Sequence, residues 1–258
     1  MIIALRHSRL LTGRRLHAVL RQPAMVVGML LQPVVWLFVF GQLFRKVAEV
    51  PGFGGGSYLA FLIPGVVAMN SMNNNMFTGM TMIEEIDRGT LNRFLVSPAR
   101  RVALTTANVA EVAVTTTFQT VAILLLGLVG GARYPGGVPG ALVVIVASVL
   151  VGTVFGTISN TMGMMVRQRE AIIGINVFLM LPLTFLSTAF MPRSLMPGWI
   201  RVIAACNPLD WAVQAGRSAL GSDPYWPGIL ARCGGLLVLA MACVALAVAM
   251  FRSYRRSV

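Results

Sequence analysis

Few residues of this 258-residue chain are equipped for chemistry, and their placement limits what they do. Both histidines, His7 and His17, precede the first long apolar run, and Cys206, Cys233 and Cys243 follow no disulfide or metal spacing. The cysteines read as small hydrophobes. No nucleophile, base and acid can be gathered from the apolar runs, so no catalytic or metal-ligating residues are expected. Nor is a nucleotide cradled. A GxxxxGK(S/T) loop is absent, and the one lysine, Lys46, sits in FRKVAEV without the required glycines or a following Ser or Thr.

Two polar sets remain. The first is charged: MIEEIDRGTLNRFLVSPARR, residues 82–101, between two apolar runs. Ile83, Ile86, Leu91, Phe94 and Leu95 fall at helical spacing, with Glu85, Arg88 and Asn92 opposite. Pro98 stops that helix. Such a segment is either a handle for a cytoplasmic partner or a solvated connector whose apolar face rests on lipid headgroups. The second set is uncharged. Asn70, Ser71, Asn73, Asn74, Asn75 and Thr78 lie in one apolar run, and Thr115, Thr116, Thr117 and Gln119 in the next. Amides in hydrocarbon are costly unless paired or wetted. They either line a transit path, for which Asn70, Asn73, Asn74, Phe77, Thr116 and Gln119 are the candidates, or hydrogen-bond to neighbouring helices. Glu111, an acid about two turns into its run, must be paired, protonated or wetted. A structural contact is the expected role, because proton relays use several ionisable groups in series.

The elements that position these residues follow from composition. Hydrophobic residues make up 57% of the chain and charged residues 11%, with a mean hydropathy of +0.79. The apolar runs are continuous and long enough to cross a bilayer, at ~20 residues each, which points to an all-α membrane protein rather than a β-barrel. Six spans are expected, at 24–44, 58–81, 104–129, 138–165, 171–190 and 228–250. The net charge of +13 gathers at span ends rather than along one face, which argues for membrane topology and against nucleic acid. Fourteen of the 21 Lys and Arg fall in one set of connecting segments, so the positive-inside rule places both termini in the cytoplasm. Residues 1–22 carry five Arg and show no small-residue cleavage site, which predicts no cleavable signal peptide. Within them RRLHAVLR, residues 14–21, reads either as an interfacial helix or as ordinary topogenic charge. Residues 191–227 are too polar to span but hold Trp199, Trp211 and Trp226, and two short helices at the outer interface are expected there. Asn207, Pro208 and Asp210 form a helix-start signal: N-cap, first-turn proline, first-turn acid.

EEIDRGTLNRFLVSPARR and the late PLTFLSTAFMPRSLMPGWIRVIAACNPLDWAVQAGRSAL carry a resemblance. The chain resembles the permease subunits of ABC-2 type exporters, and is similar to daunorubicin-resistance-type drug and lipid exporters of actinobacteria. The resemblance covers nearly the whole chain as a single transmembrane domain, 1–258, with a cytoplasmic tail at 251–258. It implies a coupling helix at Glu84, Glu85, Asp87, Arg88, Gly89, Thr90, Leu91, Arg93 and Phe94, and outer re-entrant helices before the last span. It further implies two separate ABC ATPase subunits that bind ATP and Mg, a second permease copy or homologue, and location in the cell membrane. This chain itself would bind no cofactor. An apolar or amphipathic cargo is expected, since the spans offer few charges. The alternative is a secondary carrier or membrane scaffold without an ATPase.

Overall fold

The computed structural model describes residues 23–49, 57–87, 98–166 and 168–254, and the regular structure among them is helical throughout. The N-terminal interfacial helix expected within 1–22 lies outside the described residues.

Helix α1 (Pro23–Val35) continues through a π-helical turn, Trp36–Phe40, into Gly41–Leu43. The π turn widens the spiral. It brings Trp36 and Phe190 to a 5.0 Å ring separation, with Phe40 4.3 Å from Trp36. The expected second span is two helices, not one: α2 (Tyr58–Met76) and α3 (Thr78–Asp87). Helix α4 (Pro98–Val129) starts at the proline expected to end the preceding helix. It has 32 residues, about 48 Å at 1.5 Å per residue, more than the ~30 Å of a hydrocarbon core. Helix α5 (Gly137–Val166) is followed by α6 (Arg169–Phe185), the short α7 (Gly198–Ala205), α8 (Pro208–Leu220) and α9 (Trp226–Tyr254).

Helix α5 occupies the centre and packs against α2, α3, α4, α6, α8 and α9. One core cluster joins Met69, Met72 and Met76 of α2, Val151 and Val154 of α5, Leu209 and Val213 of α8, and Leu236 of α9. Cys233 and Cys243 pack against it as small hydrophobes, but Cys206 is exposed at the end of α7. A second cluster joins Leu37, Leu62, Val66, Ile123 and Val144. Three helical stretches among the described residues are long and apolar enough to cross a membrane: Asn108–Val129, Gly137–Val166 and Trp226–Met250. Leu30–Leu43 is a shorter apolar helix. The fifth expected span is a helix of 17 residues that stops at Phe185 instead of reaching 190.

The break after Met76 explains the shortened second span. Asn73, Asn74, Asn75 and Thr78 bear side chains that compete with the helical ladder for backbone groups. Freed carbonyls need partners inside the protein, because lipid offers none. The Met76 carbonyl receives the Ser159 hydroxyl and, at 2.5 Å, the Asn176 amide. Thr78 Oγ1 donates to the Asn75 carbonyl at 2.8 Å, and the Gly79 N–H donates to Ser159 Oγ at 3.0 Å. These contacts require α3 to lie directly on α5. A Cβ at Gly79 would meet the Ser159 carbonyl oxygen at 2.3 Å, and one at Gly163 would meet the Gly79 carbonyl oxygen at 2.5 Å. Small residues at helix contacts permit this approach. Met82 and Ile83 of α3 are buried in the bundle, while Leu91, Phe94 and Leu95 of the charged segment lie outside the described residues.

Asn176→Leu removes the amide donor and leaves the Met76 carbonyl with one partner. A loss of ~1–3 kcal/mol is expected, read as a lower midpoint in thermal unfolding of the detergent-solubilised protein. Ser159→Ala should cost a similar amount. The double variant should lose more than the sum of the two, because the carbonyl is then left bare.

Candidate functional site

The uncharged polar set forms a seam between α2 and α4. Asn70 Nδ2 and Asn74 Nδ2 donate to the same Gln119 Oε1, at 3.2 and 3.0 Å, and Asn74 Nδ2 also lies 3.2 Å from Asn70 Oδ1. One turn on, Asn75 Nδ2 donates to the Ser71 carbonyl at 2.7 Å and to Thr116 Oγ1 at 3.3 Å. Ser71 Oγ crosses to the Ser148 carbonyl of α5 at 2.6 Å, and Ser148 Oγ meets Thr120 Oγ1 at 2.9 Å. Helix spacing produces this arrangement. Positions 70 and 74 are one turn apart on α2, and 116 and 119 are one turn apart on α4, so two polar stripes face each other.

Of the six candidate path residues, the seam brings together Asn70, Asn74, Thr116 and Gln119. It leaves Asn73 and Phe77 aside. Asn73 is buried with its Oδ1 unpartnered, and Phe77 is half-buried at the helix break. A cavity of about 170 Å³ adjoins the seam, lined by Asn74, Asn75, Thr78, Glu111, Thr115 and Gln119 among others. Asn75, Asn108 and Asn160 of that lining were not among the candidates. The Asn-rich run pointed to Asn75, whereas Asn108 and Asn160 gave no pattern in the sequence. Glu111 is half-buried and lines this cavity.

The charged segment is described at its edges. Glu84, Glu85 and Asp87 belong to the last turn of α3, while Arg88, Gly89, Thr90, Leu91, Arg93 and Phe94 lie outside the described residues. Glu84 Oε1 sits 3.3 Å from Arg169 Nη1 at the start of α6. Both side chains are 38–46% exposed, so the pair contributes at most ~1 kcal/mol and serves mainly to set position.

At the opposite end of the bundle, Asn207 acts on two helices. Its Oδ1 accepts from the Leu209 N–H at 3.0 Å and caps α8, as the sequence signal predicts. Its Nδ2 donates to the Leu183 and Leu186 carbonyls, at 2.7 and 3.1 Å, and so closes the end of α6. Asp210, expected simply as a first-turn acid, is buried. It accepts from the Thr188 N–H at 2.7 Å and from Gln214 Nε2 at 2.7 Å. The two short helices expected in 191–227 are present as α7 and α8, and they differ in burial. Helix α7 exposes Trp199 and Val202, while α8 packs against α2, α5 and α9.

Residues 6–220 match the family model described as ABC-2 type transporter. The chain belongs to that family. The daunorubicin resistance ABC transporter permease protein DrrB1 of Streptomyces coeruleorubidus is 25% identical over 216 residues, 82% of this chain and 74% of that protein. A Mycobacterium tuberculosis protein named "Probable doxorubicin resistance ABC transporter permease protein DrrC" is 26% identical over 247 residues, 95% of this chain and 87% of its own. A transport permease named ycf38, from Cyanophora paradoxa, is 28% identical over 197 residues, 75% of this chain and 67% of its own. As an ABC-2 transporter chain, this is an integral membrane protein.

In this ABC-2 chain the cavity beside Glu111 is polar but holds few ionisable groups. Glu111→Gln is therefore expected to leave transport and its pH dependence nearly intact, and Glu111→Leu to lower the folded yield. Vesicle transport assays and size-exclusion recovery measure the two. Loss of transport in Glu111→Gln at normal yield would assign the carboxylate a proton-handling role. Asn207→Ser keeps an oxygen for the α8 cap but loses the amide donors to α6, and should retain more stability than Asn207→Ala, by ~1 kcal/mol in thermal unfolding.

Proposed function

We propose that this chain is the membrane permease of an ATP-driven exporter, paired with a second permease and with two separate ATP-binding subunits. The chain spans the cell membrane six times with both termini in the cytoplasm, and the cargo is apolar or amphipathic, a drug or a lipid. Family membership and the resistance-permease names of its relatives support this reading. The observation that carries it is where the charged segment attaches. In the sequence, residues 88–97 join α3 to α4, and α4 carries Gln119, which the α2 side chains Asn70 and Asn74 hold beside a polar cavity.

The mechanism follows from those attachments. ATP and Mg are held by the partner subunits and supply the drive. A push on the segment is received by α3, whose backbone lies on α5 at Gly79 and Gly163, and by the start of α4. Rigid-body tilting of α4 against α2 then separates Gln119 from Asn70 and Asn74. The amides freed on each side face the enlarged cavity, where they are wetted instead of paired. Cargo passes along a path whose lining carries hydrogen-bonding groups with little net charge.

Two measurements test this. An ATPase with Walker motifs is expected to co-purify with the tagged chain from its native host, and a chain that transports with no such partner would support the secondary-carrier alternative instead. Replacing Glu85 and Arg88 together with Ala is expected to lower transport and ATPase association at least several-fold, with membrane insertion unchanged, as helix-in-groove docking requires. Wild-type association in that double variant would remove these two charges from the docking surface.

A further inference from the structure

Arginines are disfavoured at the outer ends of spans, yet four of them converge on one cavity at the end of the bundle opposite the charged segment. The cavity measures about 1110 Å³ and is lined by Arg133, Arg193, Arg217 and Arg232 together with Phe61, Tyr134 and Tyr225. Four separate elements supply the cations: the turn after α4, the turn at Arg193–Leu195, α8 and α9.

None of the four forms an ion pair among the described residues. Arg217 Nη2 donates to the Thr188 and Phe61 carbonyls, at 2.8 and 3.3 Å, and the guanidinium carbon stands 3.6 Å over the Phe61 ring. Its Nε–H is buried and has no acceptor. Arg232 donates to Gln214 Oε1 at 2.9 Å and to the Gly228 carbonyl at 3.2 Å. Arg193 reaches only the Arg201 carbonyl, at 3.3 Å. Two carboxylates are near in the chain. Asp210 is buried and engaged by Thr188 and Gln214, and its carboxylate also acts electrostatically on Arg217; Asp223 is on the exposed turn after α8. Carbonyls and an amide oxygen thus hold the guanidinium planes of Arg193, Arg217 and Arg232, and Asp210 offsets one charge, which leaves the four arginines in excess of the carboxylates around them. Guanidiniums in excess of nearby carboxylates bind phosphate oxygens strongly, and basic pockets between spanning helices take lipid headgroups. The aromatic lining adds apolar wall beside the charge.

We propose that this cavity is a binding site for a phosphodiester group of net negative charge, one that carries no cationic substituent, at the outer leaflet in the topology given above. The site is read by binding alone, without ATP or transport, so its failure and that of the exporter reading are separable. The test uses the full-length chain in neutral detergent and native mass spectrometry. Phosphatidylglycerol and phosphatidylcholine are added in equal amounts, and inorganic phosphate serves as competitor. Phosphatidylglycerol adducts are expected to exceed phosphatidylcholine adducts by about tenfold, the effect of one charge-assisted contact pair. The double variant Arg133→Gln, Arg193→Gln changes two exposed side chains, so folding is retained, and it should bring the two lipids close to parity. Displacement of phosphatidylglycerol by inorganic phosphate would identify the free anion as a sufficient ligand. Retention would identify the headgroup with its acyl chains. Equal adducts of both lipids on the wild-type chain would overturn the proposal. So would an equal loss of preference in the control Arg45→Gln, Lys46→Gln, whose positions lie outside this cavity.

Discussion

Inside a bilayer a backbone carbonyl that leaves its helix has nowhere to turn except to another part of the same protein. Much of this architecture answers that constraint at two places. Where α2 gives way to α3, the Met76 carbonyl is taken by Ser159 of α5 and Asn176 of α6. Where α6 ends and α8 begins, Asn207 serves both ends at once. In each case a side-chain amide ties elements that adjacent sequence does not join. Without those ties a helix broken at mid-bundle would be unstable, and the chain would have to run straight through.

The broken helix also changes what the bundle can transmit. A straight second span would carry any displacement of the 88–97 segment along one rod. Here α3 is seated on α5 by backbone contact, so in the proposed mechanism the central helix would receive the load before α2 does. The Glu84–Arg169 pair adds a lateral connection from the same end of α3 to α6. In the exporter mechanism proposed above, the moving parts are defined by where backbones touch, and the amide seam between α2 and α4 is the surface on which they separate.

Much of this was legible in the sequence, and what was missed has physical reasons. Continuous apolar runs announced the helices, because nothing but an α-helix satisfies so long a stretch in lipid. Asn207 and Pro208 announced the start of α8, because capping is a local event. The break at Phe77 was missed because no proline or helix-ending glycine marks it, and its partners are 83 and 100 residues away. Polar stripes on α2 and α4 could be seen, but periodicity assigns a face and not a partner, so the sharing of Gln119 by two asparagines was hidden. Asp210 looked like a capping acid because its first-turn position is local information, while its burial depends on Thr188 and Gln214. Cys206, read with the others as a small hydrophobe, is exposed at the end of α7, a helix that itself exposes Trp199 and Val202. The convergence of four arginines from four elements had no linear signature at all.

The long reach from Met76 to Asn176 has a consequence for how the protein is made. A ribosome adding about 5–20 residues per second needs roughly 5–20 s to produce those 100 residues. For most of that interval the Met76 carbonyl at the nascent α2–α3 bend is unanswered, and after Ser159 is delivered it still lacks its second partner. The N-terminal half cannot complete its assembly before α6 has been delivered, so biogenesis is obliged to be late and concerted. A nascent chain in that condition is one that the insertion machinery must shelter, and a truncated product ending before Asn176 is one that cellular quality control will recognise as unfinished.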